Sequence, residues 1–208
     1  YLFRKCSVIP SDIKSYYKLH SKFYDISRWA FLFGRNSIPK FFPKLKSGSR
    51  VLDLGCGTGK HLQQLTKKYP NCEIIGLDQS EYMLEFINPS IYKSVHIKNE
   101  VYSQDSFEDN SFDLVLCSYS LTMFDDIWKT IPIIKSHLKP TGKLLVVDFD
   151  ATPFNWFSKW MKRNHVSFEP NLFELLKNSF DVEKMITKKG YLDLYTYSAL
   201  IAESKKSS

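Results

Sequence analysis

Val51-Leu-Asp-Leu-Gly-Cys-Gly-Thr-Gly59 is the stretch that decides the fold. Arg50 to Leu54 has the apolar run of a short buried strand, and Lys60 to Tyr69, with Leu62 and Leu65 on one face, has the period of a helix. Three alternating glycines between a strand and a helix have a mechanical purpose, because they let a ligand touch the backbone. Gly55 permits the sharp exit from the strand. Gly57 removes a side chain where a ligand would lie, and Gly59 lets the next helix pack closely on the sheet. The spacing Gly-x-Gly-x-Gly differs from the dinucleotide pattern, and Asp53 at the strand end would oppose a pyrophosphate, so a less anionic ligand is favoured. Glu73-Ile-Ile-Gly-Leu-Asp78 is a second strand that closes on an acid about twenty residues beyond the loop. A carboxylate there can accept both hydroxyls of a ribose, which points to a nucleoside.

Outward from this βαβ unit, strand and helix signals alternate. Ser80 is placed to cap a helix running to Asn88, with Met83, Leu84 and Ile87 on one face and Pro89 ending it. A weak third strand is expected over 93–98, a fourth over 112–117, a helix over 126–138, and a fifth strand over 142–149 after a turn at Pro140 to Gly142. Helices are expected over 154–164 and 170–178. Strands are expected over 180–187 and 192–202, joined by a hairpin-like close at Lys188 to Gly190. Ahead of Ser49, three short helices are expected, broken near Pro10, Gly34, Pro39 and Pro43. Such alternation predicts an α/β, Rossmann-like, mostly parallel sheet with helices on both faces and an N-terminal helical lid. The 208 residues read as one domain: a lid (1–48), a ligand-binding core (49–150) and a C-terminal part (151–208) with two helices and the last two strands.

With 43% hydrophobic and 25% charged residues, the chain can bury a core and is not of the disordered class. It has no apolar stretch near the roughly 20 residues of a spanning helix. The four cysteines, Cys6, Cys56, Cys72 and Cys117, form no C-x-x-C pair and read as structural thiols, so a reducing compartment and a cytoplasmic protein without a metal site are expected. The net charge of +7 is unevenly placed. Residues 1–50 carry eleven Lys and Arg against Asp12 and Asp25, whereas the remainder carries eighteen against twenty acids. Aromatic residues crowd the same stretch, among them Tyr16, Tyr17, Phe23, Tyr24, Trp29 and Phe31. Basic and aromatic together suit peripheral contact with an anionic membrane at its inner surface; equally, the aromatics can be a lid packed on the core. Nucleic acid is the disfavoured third option.

Four segments together carry a resemblance: Val51 to Gly59, Gly76-Leu-Asp-Gln-Ser80, Asp109-Asn-Ser-Phe-Asp113 and Leu138-Lys-Pro-Thr-Gly-Lys-Leu144. In order and spacing they resemble the motifs of class I S-adenosylmethionine-dependent methyltransferases. The resemblance implies a seven-stranded sheet of order 3-2-1-4-5-7-6 with an antiparallel last strand, and S-adenosyl-L-methionine as cofactor. It implies that Asp53, Gly55, Cys56 and Gly57 line the methionine and ribose part, that Asp78 holds the ribose hydroxyls, and that Gln79 and Met83 flank the adenine. Many members carry an acid that binds the adenine amine; here Glu100 and Asp105 are the candidates, and neither matches the pattern closely.

A sulfonium is already an activated electrophile, so few catalytic residues are expected beyond those that position the acceptor and take its proton. Tyr17-Lys-Leu-His20, Phe23-Tyr-Asp25, Arg28 to Arg35, Ser118-Tyr-Ser-Leu-Thr-Met123 and Trp160-Met-Lys-Arg-Asn-His-Val166 look like the bacterial betaine-lipid N-methyltransferases. That resemblance implies N-methylation of an amphiphilic headgroup such as diacylglyceryl homoserine. Tyr17 or Tyr24 would close over the cofactor, Ser118 and Tyr119 would lie beside the methyl group, and His165 would face the acceptor. Arg28 and Arg35 could hold a carboxylate or a phosphate. A soluble small molecule, a quinone or RNA as acceptor, and a non-catalytic nucleoside-binding module, are the alternatives.

Overall fold

In the computed structural model, which describes residues 32–168 and 171–204, the unit Gly34–Ser208 is built around one seven-stranded sheet. The strands are β1 (Arg50–Leu54), β2 (Glu73–Asp78), β3 (His96–Asn99), β4 (Phe112–Ser118), β5 (Leu138–Ala151), β6 (Phe180–Gly190) and β7 (Tyr195–Ser204). Their spatial order is β3-β2-β1-β4-β5-β7-β6. β1 to β5 pair in parallel, whereas β7 runs antiparallel to both β5 and β6. This is the order that the resemblance implied. The helices are α1 (Lys60–Lys68), α2 (Glu81–Leu84), α3 (Ile127–His137), α4 (Asn155–Arg163) and α5 (Leu172–Ser179). The expected helices ahead of residue 32 lie outside the described residues, as do Tyr24 and Arg28.

Parallel strands covered on both faces must be apolar on both, and β1 and β4 obey this: Val51, Leu52, Leu54 and Leu114 to Cys117 are all buried. Each buried leucine contributes about 1.5–3 kcal/mol. Asp113, from the third motif, fastens the far end of this sheet, where its Oδ2 accepts from the Arg50 backbone N–H at 2.8 Å and from Lys139 Nζ at 2.7 Å. The strand order reverses between β1 and β4, so a crevice opens at their C-terminal ends, the place where ligands bind in open α/β sheets.

Several boundaries differ from the sequence expectation. α2 stops at Leu84, well before Asn88, and a separate 3-10 turn covers Pro89–Ile91. Pro39 lies inside a 3-10 turn, Arg35–Phe41, where a break was expected. β5 starts at Leu138 and carries the Pro140 to Gly142 segment as a register shift against β4. Gly190 is paired with Tyr195 as the last residue of β6, and a Cβ there would lie 2.5 Å from the Tyr195 ring. This glycine marks a close approach of the ring rather than the turn, which falls at residues 191–194.

Candidate active site

The glycine loop is held from below by β2. Gly55 and Cys56 N–H groups donate to Leu77 O at 2.8 and 3.1 Å, and Gly57 N–H donates to Asp78 Oδ2 at 2.8 Å. Asp78 Oδ1 accepts from the Ser80 N–H at 2.9 Å, so one half-buried carboxylate ties the loop to the start of α2. Gly55 is required twice over: its φ is +75°, and a Cβ would come within 2.4 Å of the Ser120 Cβ. Opposite Gly57 stands Met83 Cε, 3.5 Å from where a Cβ would be. Gly59 faces Ile87 at 3.0 Å, so its bareness accommodates the segment after α2 as well as the entry to α1.

Asp53 is the unusual group. It is 1% exposed, and neither carboxylate oxygen has a hydrogen-bond partner among the described residues. Burial pushes its pKa up to about 7; the Arg35 guanidinium lowers it and the Asp78 carboxylate adds to the rise. A buried, unsatisfied carboxylate costs stability. It is the fit expected of a chain that receives a cation: the ammonium of a methionine moiety would supply the charge and donors that Asp53 lacks. The Cys56 thiol is buried next to Gly76 of β2, and burial raises its pKa. Gln79 is exposed beside Asp78. Of the two adenine candidates, Glu100 is ion-paired with Lys98 at 2.9 Å, and Asp105 is exposed in a 3-10 turn.

At the end of β4, Ser118 Oγ is bonded to His61 Nε2 at 3.0 Å, and His61 Nδ1 meets Gln64 Oε1 at 2.9 Å. Burial, aided by the nearby Arg35 charge, holds the His61 pKa down to about 4. Tyr119 has a φ of +54°, is 3% exposed and packs its ring edge-on against Phe149 at 4.8 Å. Burial, then the neighbouring Tyr195, raises its phenol pKa, which keeps it a protonated hydrogen-bond donor rather than a phenolate base. The turn that follows is pinned by Asp148 of β5. Its Oδ2 accepts from Leu121 N–H at 2.9 Å, and its Oδ1 accepts from Thr122 Oγ1 at 2.6 Å. Burial lifts the Asp148 pKa to about 6 against these bonds.

His165 does not join this group. It is exposed and lines a cavity of about 360 Å³ next to the pinned turn, with Thr122, Met123, Asp125, Asp126 and Lys162. Ser167 N–H donates to Thr122 O at 2.8 Å, which holds the His165 segment against that turn. The structure therefore brings Asp53, Gly55, Gly57, Asp78, Met83 and Ser118 to one crevice edge and sets His165 in a neighbouring cavity. Two residues escaped the sequence reading. His61 was one letter in a helix pattern, and Asp148 one polar letter in an apolar strand; the acid in a buried strand was the available signal.

These shifts predict a pH dependence of stability. Asp53 and Asp148 bind a proton in the fold well above 3.8, where an unfolded carboxylate does, so the ligand-free protein gains stability as pH falls through about 7 and 6. His61 acts oppositely, because the unfolded chain protonates at 6.5 and the folded one only near 4. The two carboxylates outweigh the one histidine throughout, so the melting temperature is expected to rise continuously from about pH 8 to about pH 5, and thermal unfolding across that range checks it.

The crevice and its glycine loop define a nucleoside-binding α/β domain. Residues 45–197 match the family described as "Methyltransferase domain", and the chain belongs to that family. It is 31% identical over 156 residues to a demethylmenaquinone methyltransferase of Lactobacillus johnsonii, covering 71% of this chain and 64% of that protein. It is 30% identical over 125 residues to phosphoethanolamine N-methyltransferase 1 of Arabidopsis thaliana, covering 57% of this chain and 25% of that protein. The chain thus spans less than two thirds of the length of these relatives. In fold it is similar to phosphoethanolamine N-methyltransferase 2 of Haemonchus contortus, solved with phosphomonomethylethanolamine and S-adenosylhomocysteine, at a TM-score of 0.66 and 18% identity over 82% of this chain and 52% of that one.

Proposed function

We propose that this chain is an S-adenosylmethionine-dependent methyltransferase that N-methylates the amine of a lipid headgroup such as diacylglyceryl homoserine. The buried, unpartnered carboxylate of Asp53 beside the glycine loop carries the cofactor half of this reading. The cofactor supplies a methyl group already activated on a sulfonium. Asp53 would hold its ammonium, Asp78 its ribose hydroxyls, and Gln79 and Met83 would flank its base. Arg35, whose charge is felt by Asp53, His61 and Tyr119, stands where a carboxylate or phosphate can be met.

The acceptor half rests on the cavity beside the β4 turn, whose rim carries the carboxylate of Asp125 and the imidazole of His165, with Asp126 beside them capping α3 and paired to Lys129 at 2.9 Å. Carboxylates favour an ammonium, and an imidazole can take the proton that an amine must lose before it attacks. Tyr119, kept protonated, can donate a hydrogen bond, and Tyr24, outside the described residues, is the other tyrosine to which this reading gives a catalytic role. The basic, aromatic N-terminal stretch would give peripheral contact with an anionic membrane. The likeness to a demethylmenaquinone methyltransferase favours a second reading, methylation of a quinone, for which the same cofactor half would serve.

Methyl-labelled S-adenosylmethionine, incubated with the protein and in parallel with total lipid, soluble extract and RNA, tests this. Label in a cationic lipid is the expected result. Label in a neutral quinone would move the assignment to the second reading, and label only in soluble products or RNA would end both lipid readings.

A further inference from the structure

We propose that the tip of the β6–β7 hairpin and the outer face of α4 form one docking surface for an anionic lipid bilayer, on the same edge of the sheet as the glycine loop. The inference rests on the amphiphilic-acceptor reading above, and it involves residues far in sequence from the basic N-terminal stretch.

The topology puts these parts together. β7 starts opposite the end of β5, with Thr196 paired to Ala151, so the turn at residues 191–194 lies at the C-terminal end of the parallel strands. Thr152 staples it to the start of α4: its Oγ1 donates to Leu194 O at 2.7 Å and accepts from the Phe154 N–H at 3.2 Å. Below, Phe157 is 1% exposed and stacks on Tyr195 at 6.0 Å and 12°, which holds α4 to the root of β7.

On the outside, large apolar side chains face water. Leu192 is 96% exposed, Trp156 63% and Phe154 41%, and the Phe154 and Trp156 rings lie 6.3 Å apart. A single exposed leucine means little, but an apolar group of this size on one edge marks an interaction surface. Its charge selects the partner. Lys159 and Arg163 recur with Trp156 at helical spacing on one exposed face, and from Thr152 to Phe168 there are three Lys and Arg and no acid. Lys188 and Lys189 flank the hairpin tip, with Lys189 paired to Asp193 at 2.7 Å. Protein interfaces are depleted in lysine, whereas indole rings beside lysine and arginine are the composition that settles at anionic headgroups. A bilayer seated here would meet the edge of the sheet at which the cofactor crevice opens.

The test is flotation of the full chain with vesicles of phosphatidylcholine, with and without phosphatidylglycerol, in the absence of any methyl acceptor. The wild type is expected to float with the anionic vesicles only and to be released by salt. Leu192→Asn and Trp156→Ser should each weaken partitioning by about tenfold. Asparagine suits the left-handed backbone of Leu192, whose φ is 52°, and unchanged S-adenosylhomocysteine binding by each variant would show the fold intact. Lys159→Gln with Arg163→Gln should lower binding by about fivefold per charge removed. Wild-type protein that stays with the soluble fraction would overturn the proposal. So would variants that bind as tightly as the wild type, or RNA that competes with the vesicles. Vesicle binding that survives alongside methyl transfer to a water-soluble product would instead sink the acceptor reading and leave the docking surface standing.

Discussion

Asp53→Asn is expected to weaken binding of S-adenosylhomocysteine about 100-fold and, in the same protein, to raise the melting temperature without ligand. A hydrogen-bonded charge pair is worth about 1.5–3 kcal/mol, which is a factor of roughly ten to 150 in affinity. The gain in stability has the opposite origin. Without a ligand Asp53 is a buried carboxylate with no hydrogen-bond partner among the described residues, and its amide has no charge to desolvate. At about pH 8, where the native carboxylate is ionised, the rise should be about 5 °C, since about 2–4 °C follows from each kcal/mol in a domain of this size. Calorimetric titration and thermal unfolding of both proteins give the two numbers. A variant that loses affinity and melts lower would mean that Asp53 serves the fold; one that keeps its affinity would remove Asp53 from the cofactor site.

Gly55→Ala should cost about 3 kcal/mol, made of about 1–2 for an L-residue in left-handed backbone and about 1–3 for overpacking, and should abolish cofactor binding. The partner in the clash is known, because the new methyl would lie 2.4 Å from the Ser120 Cβ. Ser120→Gly removes that carbon at the cost of the bond from Ser120 Oγ to Leu54 O. In the double variant the overpacking vanishes and the backbone strain remains. A thermal double-mutant cycle should therefore show a coupling of about 1–2 kcal/mol. Additive effects would mean that the loop moves away from β4, and that the crevice is less rigid than this packing requires.

Much of the crevice was legible because its signals are local. A buried strand, alternating glycines and an acid at the next strand end each announce themselves within a few residues, and the parallel topology follows from their alternation. What escaped depends on partners far along the chain. Ser118 was expected beside the reacting methyl, yet its hydroxyl is bonded to His61, 57 positions earlier. Asp148 reads as an interruption of a strand until the turn after β4 folds over it. Gly190 looked like a turn residue, and only the Tyr195 ring across the strand pair reveals its purpose.

The division has a physical basis. Backbone conformational preference and hydrophobic period act over a few residues, so the sequence by itself determined the strand and helix order, the mostly parallel sheet and the glycine loop with Asp53 and Asp78, whereas the order of the strands followed from the resemblance of the motifs. Burial, electric field and hydrogen-bond partnership are sums over neighbours that only folding assembles. The tertiary structure alone decided that Asp53 is an unsatisfied buried acid under the influence of Arg35, that Tyr119 packs on Phe149 and stays protonated, and that His165 lines the cavity beside the turn after β4.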